Sequence, residues 1–125
     1  MRKIEKEACR AFWYGKKFRQ ANTEVKVGEN KEVLMYLHGS AVAYRKGERI
    51  AVCDGGHQTV TTKSRINAVL SYMNMKVVQK KFEWHLVRFM DCEPKIVSWK
   101  DGAWNVVRGG TPMELIAAAA EGTPA

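Results

Sequence analysis

No apolar stretch in this chain of 125 residues approaches the roughly 20 residues that a membrane-spanning helix needs. The start, MRKIEKEACR, mixes acids with bases and lacks the apolar run of a signal peptide. The "MELIAAAAEG" stretch near the end is too short and too alanine-rich to anchor a membrane. These absences predict a cytoplasmic protein without a membrane partner. Cysteine is also scarce: Cys9, Cys53 and Cys92 are odd in number and widely spaced, which argues against a disulfide framework and for reduced thiols packed as small hydrophobes. His38, His57 and His85 stand singly, and no Cys or His pair has metal-ligand spacing. Acids are sparse, with Asp54, Asp91 and Asp101 scattered at strand ends and turns, so the clustered carboxylates of a two-metal nuclease are missing. Gly55-Gly56 lacks the spacing of a nucleotide-binding P-loop. Neither a metal nor a cofactor is expected.

What the chain does have is positive charge. The formal net charge is +8, which favours acidic partners (nucleic acid, a membrane surface or an acidic protein) while saying nothing about fold. Hydrophobic residues at 46% and charged residues at 27% give an ordinary globular balance, and the length suits a single domain over residues 1–125. Within it, 1–21 is a basic N-terminal segment, 22–108 a β-rich body, and 111–120 a C-terminal helix.

Residues 2–13 fit two readings. Ile4, Ala8, Ala11 and Phe12 have helical spacing, while "CRAFWYG" would also serve as a strand before Gly15. "TEVKV" reads as a strand, and "EVLMYLHGSAVAYR" as one long β-rich run with a bulge or close approach at Gly39. A hairpin turns at Lys46-Gly47, and Gly55-Gly56 ends the following strand. Thr61 or Thr62 is the expected N-cap of a helix over about 62–73, with Ile66, Val69, Leu70 and Met73 as its buried stripe. "KVVQKKFEWHLVRF" alternates so that Val78, Lys80, Phe82, Trp84 and Leu86 share one face. "KIVSWKDGAWNVV" reads as a hairpin around Asp101-Gly102. "TPMELIAAAA" offers Thr111 as cap, Pro112 at the first helical position and Glu114 at the third. The expected class is α+β: an antiparallel meander sheet with one central helix packed on a face, plus the C-terminal helix.

"ANTEVKV", "LHGSAVAY", "DGGHQTVTTKSRINAVL" and "FEWHL" together resemble a recurring arrangement in small accessory or early proteins of tailed bacteriophages. The resemblance covers roughly residues 22–86 and leaves out the basic N-terminal segment and the "GTPMELIAAAA" tail. It implies a phage-encoded protein acting in the host bacterial cytoplasm. The group has no assigned activity, so no functional residue is carried over.

Two basic regions are the candidate sites. At the start of the central helix, Gly56, Thr61, Thr62, Lys63, Ser64 and Arg65 combine close backbone approach, hydroxyls, first-turn amides and two bases. Cations at that end oppose the helix dipole, which asks what anion they meet. The plain alternative is a glycine turn, a threonine cap and two solvated bases. Elsewhere Lys16 and Lys17 lie among aromatics in "FWYGKKF", Trp13 or Tyr14 is left as an exposed stacking ring, and Arg45, Lys46 and Arg49 cluster at a hairpin. Catalytic readings are weaker. Cys53 and His57 could be nucleophile and base, and His38 with His85 could cleave RNA with Lys63 holding phosphate. A buried strand-end cysteine and solvated histidines explain the same residues. The expected function is therefore non-enzymatic binding of DNA or RNA through phosphate contacts. An effector that binds an acidic host protein is the alternative, and a small metal-independent ribonuclease the second. A homodimer through open sheet edges also stays open.

Overall fold

The computed structural model describes residues 2–90 and 93–108. The chain begins with helix α1, Lys3–Tyr14. Of the two readings for this segment helix prevails, because Glu5, Ala8, Cys9, Ala11 and Phe12 fall on one face and are buried together. Gly15 ends it in the left-handed conformation at φ 69°, its N–H donating to the Ala11 carbonyl.

Five strands follow: β1 Phe18–Gln20, β2 Thr23–Val27, β3 Val33–Leu37, β4 Ser40–Lys46 and β5 Arg49–Val52. Each pairs antiparallel with the next. The run expected as one long strand is thus two. His38 and Gly39 both take positive φ, 51° and 81°, as a two-residue type I′ turn requires. Gly39 is that turn, and the register shift sits between Met35 and Tyr36 instead. The Lys46-Gly47 hairpin is present, with Lys46 opposite Arg49.

Helix α2 spans Val60–Leu70, closed by a 3₁₀ turn over Ser71–Met73. Its N-cap is Thr59, not Thr61 or Thr62; the Thr59 hydroxyl accepts from the Thr62 amide at 3.1 Å. Strands β6 Met75–Lys80, β7 Glu83–Met90 and β8 Glu93–Ser98 form a separate antiparallel sheet. Positive φ at Lys81 and Phe82 makes another two-residue turn. The inward row therefore changes phase there: Met75 and Val77 are buried on β6, Trp84 and Leu86 on β7. Val78, Lys80, Phe82, Trp84 and Leu86 consequently do not share a face, and Phe82 is exposed at the turn.

The largest correction concerns Asp101-Gly102. It is a turn, but its flanks do not pair with each other. β8 stays in the three-stranded sheet, whereas β9, Asn105–Arg108, crosses to pair with β5, giving a six-stranded order β1-β2-β3-β4-β5-β9. The Asn105 side chain folds this corner back on itself, accepting from the Lys100 amide at 2.8 Å and donating to the Lys100 and Ala103 carbonyls.

Both helices lie on one face of the six-stranded sheet. Phe12 and Ile66 pack there against Val25, Met35, Val42 and Ile50, and the core continues to Trp84 and Trp99 of the second sheet region. The class is α+β with antiparallel sheets, and α1 joins the expected central helix on the sheet. The expected helix over 111–120 lies outside the described residues.

Candidate nucleic-acid interface

The question of what anion faces Arg65 has an internal answer. Because the helix starts at Val60, Arg65 falls in its second turn and points inward, 3% exposed. Its Nη1 donates to Glu5 Oε1 at 2.8 Å and its Nε to the Thr23 hydroxyl at 3.0 Å. Ser64 donates to the same carboxylate oxygen at 2.5 Å. Burial presses the Arg65 pKa down, and the facing carboxylate works against that shift. Arg65 and Ser64 thus join α2 to α1, and neither is offered to an outside ligand. Lys63, half-buried, lines a surface depression beside Glu5 and Ser64.

Other candidate residues are also engaged internally. Arg45 donates through Nε and Nη2 to the Phe12 carbonyl, at 3.4 and 3.2 Å, and so serves the carbonyl end of α1. Its guanidinium lies 6.0 Å from both the Phe12 and Trp13 ring centres. Trp13 Nε1 donates to the Val69 carbonyl at 3.3 Å, and the ring packs against Tyr72. Of the adjacent pair it is Tyr14 that is exposed.

The α2 corner is organised by Asp54, which sequence reasoning left as one of several scattered acids. Its side chain is buried and accepts from Trp99 Nε1 at 3.0 Å, Gln58 Nε2 at 3.0 Å, the Gly56 amide at 2.8 Å and the Gly102 amide at 3.1 Å. Burial alone would raise its pKa, but these donors together hold it below the ordinary carboxylate range. Gly56 is therefore a donor to Asp54, and Asp54 ties the β5–α2 loop to the Asp101-Gly102 corner. Thr61 and the buried Thr62 line a cavity of about 420 Å³ that also meets His38, Ser40, Asp54 and His57. The structure thus places His38 with His57 rather than with His85, which stands on β7 in the other sheet. Cys53 is buried, and burial raises its thiol pKa, which suits filler and not a nucleophile. Among the described residues no group of three or more His, Cys, Asp or Glu side chains could hold a metal ion.

Exposed bases are spread over the described surface, including Lys76, Lys80, Lys81 and Lys95 on the three-stranded sheet, and the N-terminal segment carries one continuous run of them. With five residues of α1 turned inward, Lys3, Lys6, Arg10 and Tyr14 occupy the opposite, exposed face, where Lys3 meets Glu7 at 3.8 Å. Lys16, Lys17 and Arg19 follow, all exposed. Lys46 and Arg49 are exposed at the β4–β5 turn, where Arg108 reaches the Glu48 carbonyl at 3.1 Å.

Fold and surface together define a small basic α+β protein in which Arg45 and Arg65 are tied internally and other bases are exposed, some of them along the outward face of α1. The model of the Kyanoviridae Gp96 protein family matches residues 1–106, and the chain belongs to that family. It is a cyanophage family, which agrees with the resemblance to small tailed-phage proteins of unassigned activity. The match takes in the basic N-terminal segment that the resemblance had left outside. No curated protein and no solved structure matches the chain. No helix among the described residues is long and apolar enough to cross a membrane.

Proposed function

We propose that this phage protein is a non-enzymatic accessory factor that binds nucleic acid through phosphate contacts, centred on the outward face of α1 and the segment after it. The observation that carries this reading is the continuous run of exposed bases on and just after α1. Arg65 and Arg45 are committed inside, whereas Lys3, Lys6 and Arg10 line one exposed helical face and Lys16, Lys17 and Arg19 continue from its end. Such an array neutralises several phosphates at once without reading base sequence. Tyr14, exposed at the end of the same face, supplies a ring on which a base can stack. Lys46 and Arg49 add positive potential at a second place.

Fluorescence anisotropy with labelled single-stranded and duplex oligonucleotides of unrelated sequence tests this. Binding should be sequence-tolerant and weaken steeply between 50 and 200 mM salt, about tenfold or more for even a few phosphate contacts. Absence of binding at 50 mM salt, or affinity indifferent to salt, overturns the proposal and returns attention to an acidic host protein as the partner.

A further inference from the structure

We infer that the outward face of the sheet of β6, β7 and β8 is a stacking platform for single-stranded nucleic acid, a second contact surface that rests on the nucleic-acid reading above and narrows its ligand. Side chains of a strand alternate between two faces. Trp84 and Leu86 of β7 belong to the main core, so His85, Val87 and Phe89 face the other way. The register sets Lys76 of β6 and Ile96 of β8 on either side of Val87, and Lys80 opposite Glu83 at the hairpin end. Phe89 and Ile96 are 48 and 66% exposed on this face.

Charge decides what kind of partner suits these apolar groups. Lys76 and Lys80 stand exposed on the same face, Lys81 is exposed in the turn that follows, and Glu83 is the acid facing Lys80. The Lys76 ammonium lies 5.6 Å from the centre of the Phe89 ring. A cation held at an open ring sets a phosphate site beside a surface on which a base can lie. An apolar protein surface would strip water from these ammonium groups without replacing it. A nucleic-acid backbone meets them with opposite charge. Bases in a duplex are closed in their own stack, so only a single strand uses the rings and the lysines together.

The β6–β7 turn points the same way on separate grounds. Lys81 and Phe82 hold φ at 52° and 66°. Two-residue turns of this kind favour Asn-Gly, and a bulky side chain there is strained. Phe82 is nevertheless 92% exposed, so burial within the chain does not offset that strain. A base stacked on the ring does. Phe82 and Phe89 stand about 24 Å apart along β7, which gives a short single strand two stacking points with a lysine near each.

Fluorescence anisotropy with labelled oligothymidylate and with a duplex of equal length, comparing wild type with Phe82→Asn/Phe89→Thr, tests this. The double variant should bind the single strand about tenfold or more weakly. It should bind the duplex as the wild type does, and keep the wild-type salt slope because no phosphate contact is lost. Phe82→Asn alone should melt no lower than wild type, since Asn tolerates positive φ, and should still lose part of the single-strand affinity. That variant decides the matter if Phe89→Thr does not fold. Ultraviolet cross-linking through 5-iodouracil in the single strand should attach to peptides holding Phe82 or Phe89, and attachment at Tyr14 alone would contradict the inference. Unchanged single-strand affinity, or equal losses on both ligands, overturns the platform while leaving the α1 reading standing, and assigns the face to a protein partner. A wild type that binds neither ligand overturns both.

Discussion

Arg65 and Glu5, 60 positions apart in sequence, meet as an ion pair of 2.8 Å with both side chains almost fully removed from solvent. The pair converts two bases that seemed to await an external anion into one that already has its anion and one, Lys63, for which the described residues supply none. It also ties α1 to α2 and, through the Thr23 hydroxyl, to β2.

Removing one partner should cost far more than the pair is worth. Arg65→Ala leaves the Glu5 carboxylate buried without its cation, and a loss of about 3–5 kcal/mol is expected in urea denaturation. The double variant Glu5→Leu/Arg65→Met should recover most of it. Lys63→Glu, beside Ser64 but outside the hydrogen bonds to Glu5, should change stability by less than about 0.5 kcal/mol. A mild effect of Arg65→Ala would mean that the pair does not hold the helices together.

Asp54 should make stability fall at acid pH. Its pKa is depressed in the fold, so the folded state holds its ionised form to lower pH than the unfolded chain does. The resulting stability is complete above the unfolded value of about 3.9 and is lost as pH falls through the lower folded value. Asp54→Asn, which cannot accept from all four donors, should destabilise the protein at pH 7 by about 1–3 kcal/mol and flatten that acid limb. Thermal melts from pH 2 to 7 of the two proteins check both points.

These two acids also show what could be read from the sequence and what could not. Turn chemistry is local, so the Lys46-Gly47 turn and a helix after Gly55-Gly56 were legible. Partner choice is not local. Asp101-Gly102 reads as a hairpin, yet Asp54, 48 residues away, takes the Gly102 amide, and the flanking strands join different sheets. A signal for the Arg65 pair was present: Glu5 lies on the same helical face as Ala8 and Phe12. An acid within an apolar stripe requires a buried donor. The outward basic face of α1 was hidden because the segment could equally have been a strand, which would have scattered its bases over both sides.

The Cys9 and Cys53 thiols should be inert. Burial pushes Cys9 up to about 12 and raises Cys53 as well, and Cys9 Sγ donates to the Ala68 carbonyl at 3.0 Å. Iodoacetamide at pH 8 should therefore leave both unmodified in the native protein and label both in denaturant, as read by peptide mass spectrometry. Cys53→Ser should leave nucleic-acid binding unchanged. Rapid native labelling of Cys53 would reopen its reading as a nucleophile.

Thr59, not Thr61, should be the threonine whose loss weakens α2. Thr59→Ala removes the hydroxyl that accepts from the Thr62 amide and should cost about 1 kcal/mol. Thr61→Ala should cost clearly less in the same denaturation series, and equal losses would contradict the cap assignment.

The most direct measurement is the salt dependence of oligonucleotide affinity for the wild type, Lys6→Glu/Arg10→Glu and Lys63→Glu, compared side by side. If the outward face of α1 carries the phosphates, the double variant should bind more weakly to every sequence and its slope of log affinity against log salt should flatten by about two units, while Lys63→Glu stays near wild type. Equal slopes for wild type and the α1 variant, or a loss confined to Lys63→Glu, would contradict the account.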